Sequence, residues 1–227
     1  MTQPSPPHVT EWLRQAAADQ TPGTIDDPAR LRARLAPKVL GLDLSLTCTG
    51  IAGNGWTEAL KPPPGLRGVD RILWIRDSLT ARWLRSIDLA AVEGPSYGSQ
   101  GSSRQSGHHE RAGLWWTVVI ALRAREIPVA VIPPASLKKY ATGRGNADKS
   151  LMVLAAARHW KWYEGTADEA DALWLAAMAA HHLGHPLADM PKTHRAALDA
   201  VQWPDLPAPV VVPHQTGHTD HTAKEAS

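Results

Sequence analysis

The chain has 227 residues and a mass of 24.6 kDa, with 43% hydrophobic and 20% charged residues, enough for one domain with a sizeable core plus appendages. No apolar run reaches the ~18 residues of a membrane-spanning helix, and Cys48 is the single cysteine, which excludes an intrachain disulfide and argues against a cysteine-based zinc site. The formal net charge of +2 is nearly neutral and by itself excludes no partner.

In chain order, residues 1–36 read as a partly helical appendage. A Pro-rich start is followed by "HVTEWLRQAAADQ" and "DDPARLRARLA", the second with Asp27 as N-cap and Pro28 at the first helical position. The start has neither the basic nor the apolar region of a secretory signal, so a cytoplasmic location is expected. "KVLGLDLSLTCTGIAGNGW" reads as strand, tight turn, strand, with Asp43 in mid-strand, and "WTEALKP" as a third strand. "LRGVDRILWIRDSLTARWLR" carries Val69, Ile72, Leu73, Ile75, Leu79, Trp83 and Leu84 at helical spacing. "IDLAAVEG" is a short apolar strand ending in Glu93, followed by a Gly/Ser/Gln loop. "HHERAGLWWTVVIALRARE" reads as a helix, "IPVAVIPP" as a strand, and "PASLKKYATG" as a short helix stopped by Gly143. Two more helices follow, "ADKSLMVLAAARHW" and "DEADALWLAAMAAHHLG". Residues 186–227 form a second appendage, with a turn or two at 192–202 and a Pro-rich, disordered tail. Three meandering strands followed by alternating α and β predict an α/β domain at 37–185, a mixed sheet with helices on both faces.

The letters D-E-A-D at 168–171 invite an ATPase reading, but "WKWYEGTA" before them is no apolar strand. The nearest phosphate loop, "GRGNADKS", has Asp148 where a second glycine is required, and a carboxylate there repels phosphate. As a helix start the stretch has two meanings. Thr166 with Glu169 makes a capping box, and acids in a first turn complement the macrodipole. Asp168 and Asp171, three residues apart, also share a helix face. Asp43 and Glu93 decide between these meanings. A lone carboxylate in an apolar strand is costly unless paired or metal-bound, and two of them with a helix-borne pair point to one carboxylate cluster held by cations. Oxygen ligands favour Mg²⁺ or Mn²⁺.

These motifs resemble the RuvC family of Holliday-junction resolvases, on the RNase H-like (retroviral-integrase-type) fold. The resemblance spans roughly residues 38–184. "VLGLDLSLTCTGIA" is similar to the family's first hairpin with its catalytic Asp, "LAAVEG" to the strand with its catalytic Glu, and "ADEADALWLA" to its closing pair of acids. "SLKKYATGRGNADKS" resembles the stretch bearing two functional basic residues. The resemblance implies an endonuclease that cuts branched DNA with two Mg²⁺ ions per site, Mn²⁺ substituting. Asp43, Glu93, Asp168 and Asp171 would be the metal ligands, and Lys149 a catalytic cation. Lys138, Lys139, Lys149 and Arg144 would meet DNA, with Arg104 from the loop. Tyr97 is the candidate for stacking at the crossover, where the family often has Phe. The first loop, "LSLTCTG", departs from the Pro-Gly-Ser usual in bacterial members, and the appendages have no counterpart. Length and divergence fit a phage or prophage version acting in a bacterial cytoplasm, on four-way junctions and also on forks or flaps.

Charge distribution supports a polyanion partner. Between Pro95 and Lys161 stand ten Lys/Arg, Arg111 among them, against three acids, while acids concentrate at 164–171. His108 and His109 read as loop or N-cap residues, with a DNA or water-activating role as the alternative. A two-fold symmetric substrate calls for a homodimer. "GLWWTVVIAL", with Trp115 and Trp116, is more apolar than one core-facing stripe requires and is the candidate interface. The rival readings are a ribonuclease H or transposase-type nuclease, and a DNA-binding protein without catalysis.

Overall fold

The computed structural model describes residues 36–95 and 105–206. Five strands make one sheet: β1 (Val39–Asp43), β2 (Thr49–Gly53), β3 (Trp56–Leu60), β4 (Leu89–Glu93) and β5 (Val129–Ile132). Their spatial order is β3-β2-β1-β4-β5, with β1 to β3 an antiparallel meander and β4 and β5 parallel to β1. The helices are α1 (Gly68–Arg82), α2 (Gln105–Arg123), α3 (Pro134–Thr142), α4 (Lys149–His159), α5 (Ala167–His182) and the short α6 (Lys192–Arg195), before a 3₁₀ turn at Leu198–Ala200. This is the mixed α/β sheet that the element pattern predicts.

Strand alternation divides the core in two. On β1 and β4, Leu40, Leu42, Ala90 and Val92 face α1 and α2, where Ile75, Leu79, Leu114, Val118 and Leu122 cover them. Val39, Leu89 and Ala91 face the other way, into a cluster built on α5 with α3 and α4. Asp43 and Glu93 follow the parity of Val39, Gly41, Leu89 and Ala91, so the same alternation turns both acids to the α5 face.

α5 lies directly on the backbone of β1 and β2. A Cβ at Gly41 would sit 2.0 Å from the Ala172 carbonyl oxygen, and one at Gly50 would sit 1.9 Å from that of Asp168. Only glycine permits so close an approach. Ala170 and Ala172 to Ala180 are buried along the length of this helix. The aromatic burden falls on tryptophan, since the chain has no Phe: Trp174 is fully buried, with Trp160 (centroids 4.6 Å) and Tyr140 (6.1 Å) against it.

Several expectations shift. β1 ends at Asp43 instead of running through it, because the Thr49 hydroxyl donates to the Ser45 carbonyl (2.9 Å) and closes the turn there. The helix expected from His108 begins three residues earlier, at Gln105, which places His108 and His109 inside it and not at a cap. Val69, expected on the apolar stripe of α1, is 67% exposed. Residues 186–206 pack on the domain: Met190, Ala197 and Val201 are buried in the α5 cluster, and Trp203 stacks on His182 with centroids 4.0 Å apart. Met190, Ala197 and Val201 therefore share the core cluster built on α5. The N-terminal helices with Asp27 and Pro28, Tyr97, Arg104 and the tail from 207 lie outside the described residues. No helix among the described residues is long and apolar enough to cross a membrane.

Candidate active site

The site forms where parallel β1 and β4 end. Leu42 pairs with Val92, so Asp43 and Glu93 are the next residue on each strand and project side by side past the sheet's carboxyl edge. Their carboxyls are close enough for each to act on the other's protonation. Asp43 also pairs in register with Gly50, the residue on which the Asp168 carbonyl rests. Gly50 thus seats the first turn of α5 beside Asp43. That turn is shaped by the predicted capping box: Thr166 Oγ1 accepts from the Glu169 N–H (3.5 Å), and Glu169 Oε2 accepts from the Thr166 N–H (2.9 Å). Glu169 also takes the Thr57 hydroxyl (3.1 Å), which ties the helix start to β3. Both meanings of the stretch hold together: Glu169 caps, while Asp168 and Asp171 face the strands' acids.

The electrostatics are those of crowded, partly dehydrated like charges. Burial, then the Glu93 carboxylate, pushes Asp43 up to about 8. Burial, then Asp43, pushes Asp171 up to about 7. Glu93 is raised by burial and by Asp171. Asp171 Oδ1 is buried with no hydrogen-bond partner among the described residues. A buried carboxyl oxygen left without a donor suits a cation, which would displace the proton. Among the described residues no three His, Cys, Asp or Glu side chains are already grouped as a metal cage. Lys149 takes up part of the negative charge, its Nζ donating to Asp168 Oδ1 at 3.0 Å, and this bond raises the lysine's own pKa.

The two basic residues of the α3–α4 stretch diverge in setting but converge on the acids. Lys149 opens α4 behind Asp148, whose Oδ1 accepts from the Leu151 N–H at 2.8 Å. The residue that breaks the phosphate-loop pattern is a helix N-cap. Lys138, on α3, is half-buried, and its charge acts on both Glu93 and Asp171. Lys139 and Arg144 are exposed. Gly143 stops α3 in the left-handed conformation (φ 78°), as predicted.

Two further residues border the site: Trp115, read from the sequence as part of an interface, and Cys48, assigned no site role from the sequence. Trp115 donates its indole N–H to the Glu93 carbonyl at 2.9 Å, so it braces the strand end that carries Glu93, while Trp116 beside it is 60% exposed. Cys48, in the first hairpin, lies near Asp168, and burial then that carboxylate raise its pKa. On the α2 side, Asp43 and Glu93 open into a cleft of about 510 Å³ bounded by Pro95, His108, Arg111 and Trp115. Buried carboxylates with raised pKa values, flanking cations and an adjoining cleft at the carboxyl ends of parallel strands can bind hard cations and a phosphodiester.

Comparison with known proteins points the same way. No protein-family model matches the chain. It is 32% identical over 152 residues to the crossover junction endodeoxyribonuclease RuvC of Frankia alni, covering 61% of this chain and 75% of that one. It is 30% identical over 153 residues to that of Rhodococcus opacus (61% and 78%), and 28% identical over 151 residues to that of Nocardia farcinica (61% and 78%). Among solved structures, Thermus thermophilus RuvC is similar, with a TM-score of 0.50 at 20% identity over 68% of this chain and 99% of that one. The same protein in complex with Holliday junction substrate gives a TM-score of 0.52 at the same identity and coverage. At that identity the structural likeness speaks to the RNase H-like fold.

Proposed function

The chain belongs to the RuvC family of crossover junction endodeoxyribonucleases, and on that premise we propose that it resolves four-way DNA junctions by hydrolysing phosphodiester bonds at the Asp43 site. The observation that carries this reading is the buried, unpartnered Asp171 oxygen beside the raised Asp43 carboxyl. Asp43, Glu93, Asp168 and Asp171 would hold divalent cations, Mg²⁺ with Mn²⁺ substituting, two to a site. Such ions, when bound, supply charge that acidifies an attacking water and stabilises the leaving 3′ oxygen.

The chain's own residues do the rest. Asp43 and Glu93 sit on strand ends and cannot move independently of the sheet. Trp115 fixes the Glu93 backbone, and the capping box fixes the turn that carries Asp168. Lys149, at 3.0 Å from Asp168, would stabilise the charge that develops on the phosphate during the attack. Lys138, behind it on α3, holds the DNA backbone near the acids. In the hydrolysis, water oxygen bonds to phosphorus as the bond from phosphorus to the 3′ oxygen breaks, and a proton passes to the leaving oxygen.

Paired cuts across a two-fold substrate need two sites, so we also propose a homodimer. Trp116 and Ile120, 60% and 62% exposed on α2, support it, since a stripe of that kind calls for a cover.

The test is incubation with synthetic four-way junction, fork, flap, duplex and RNA–DNA hybrid, with Mg²⁺, Mn²⁺ or EDTA. Junction cleavage with either metal and none in EDTA is expected. Asp43→Asn should abolish cleavage yet leave junction binding intact; cleavage near the wild-type rate would reject the site. Preferential cutting of the hybrid would move the chain to a ribonuclease H activity.

A further inference from the structure

We propose that Arg111, with His108 one turn before it, forms a backbone-phosphate subsite on the α2 wall of the cleft, facing the Lys138 and Lys149 side across the four acids. The inference rests on the junction-cleaving reading above, and it assigns a second set of DNA contacts to residues outside the basic stretch at 138–149.

The first observation is position. Arg111 and His108 bound the same cleft of about 510 Å³ as Asp43 and Glu93, together with Ala112 and Trp115. Spaced three residues apart on a helix, they share one face. The cleft has the size of a small-molecule site and exceeds what one phosphate fills.

The second observation is free charge. Lys138 and Lys149 ease the charge of Glu93 and Asp171 from the other side. Arg111 is exposed and has no ion pair among the described residues, although carboxylates stand in the same cleft. Its guanidinium lies back over Gly107, where an added Cβ would be 3.9 Å from Nη2. A planar fork of donors without an ion pair among the described residues matches two phosphate oxygens.

The third observation is rigidity. The helix turn bearing Arg111 is clamped from both sides. Glu110 is ion-paired with Arg71 of α1, whose side chain is only 15% exposed, and Trp115 is bonded to the end of β4. A cation on so fixed a turn can set the register of a strand relative to Asp43 and Glu93. In-line attack demands that register, because one contact alone lets the phosphate pivot.

The experiment uses the full chain and a synthetic four-way junction. Binding is measured against salt in an Asp43→Asn background, which prevents cutting. Arg111→Ala should flatten the salt dependence by about one phosphate contact, a change of roughly 0.9 in the slope of log K against log salt. A single methylphosphonate is then walked through the phosphates on either side of the cut. At one position it should weaken the parent about as much as Arg111→Ala does, and it should add nothing to Arg111→Ala. In the cutting enzyme, Arg111→Ala should lower the single-turnover rate about tenfold, and Arg111→Lys should restore the salt slope but not the rate. An unchanged slope together with an undiminished methylphosphonate penalty would overturn the subsite while the junction reading stands. A parent chain that neither binds nor cuts branched DNA would overturn both.

Discussion

α5 and α2 are both apolar for most of their length, and they end in opposite circumstances. α5 is buried on nearly every side, from Ala170 through Ala180, because Gly41 and Gly50 let its backbone touch the sheet and because α3, α4 and residues 186–206 close over it. α2 buries Leu114, Val118 and Leu122 against the sheet and leaves Trp116 and Ile120 in solvent. α5 also carries two of the candidate site's four acids, Asp168 and Asp171, at its start, whereas α2 contributes a brace and a wall. The comparison teaches that a fully buried helix can hold charge at a fixed point, since nothing in its body can yield. A half-buried helix is free to meet partners.

The largest test of that contrast is Asp171→Asn. Junction cleavage should fall by more than the roughly 10–100-fold seen when an outer-shell partner of a metal site is lost. Folding stability in EDTA at pH 8 should meanwhile rise, since a buried charge disappears. A variant that cuts normally, or that melts lower, would show that α5 does not carry the acids at a cost to its own fold.

Next comes the seat of α5. Gly50→Val places a side chain where even a Cβ would be 1.9 Å from the Asp168 carbonyl, so the loss should reach or exceed the upper end of the ~1–3 kcal/mol of overpacking. In a domain of this size that is a drop of roughly 5–10 °C in Tm. Gly55→Asn serves as the control: φ is 83° there but nothing lies within 4 Å, and asparagine tolerates that conformation. Equal losses at the two glycines would mean that the close contact is not what matters.

The third test is pH. Asp43 and Asp171 have folded pKa values raised to about 8 and about 7. The metal-free fold therefore holds these protons more tightly than the unfolded chain. The associated stability is fully present below the ordinary carboxylate range of about 4 and is lost as pH rises through 7 and 8. Mg²⁺ should act in the opposite direction, raising Tm by several degrees at pH 8 and hardly at all at pH 5, where protons occupy the oxygens. Differential scanning fluorimetry at the two pH values, with and without EDTA, reads this directly; an equal metal effect at both would reject the carboxylate cluster as its cause.

The smallest effect is expected on α2. Trp116→Glu should leave the fold within about 0.5 kcal/mol, as surface changes do. Light scattering should instead show a shift from dimer to monomer, with single nicks replacing paired cuts. A monomeric parent with full paired cleavage would remove α2 as the interface.

Local chemistry was readable from the sequence because local rules act within a few residues. Alternation in "VLGLD" and "LAAVE" sent Asp43 and Glu93 to one face, Thr166 and Glu169 announced the capping box, and Gly143 announced the end of α3. Together with the family resemblance, these led to one candidate site for the four acids and Lys149, residues that the fold brings near one another. What the sequence could not supply depends on contacts between distant segments. Gly41 and Gly50 look like ordinary strand glycines until a helix more than a hundred residues away rests on them. Trp115 and Trp116 are neighbours of identical chemistry, yet about 100° of helical rotation sends one indole to the Glu93 carbonyl and the other to solvent. Arg111 was one cation among ten in its stretch, and only the packing of α2 against the end of β4 put it on the wall of the cleft. Residues 186–206 read as an appendage because their apolar residues are sparse and irregularly spaced; the groove between α3 and α5 that buries Met190, Ala197 and Val201 exists only once those helices are packed.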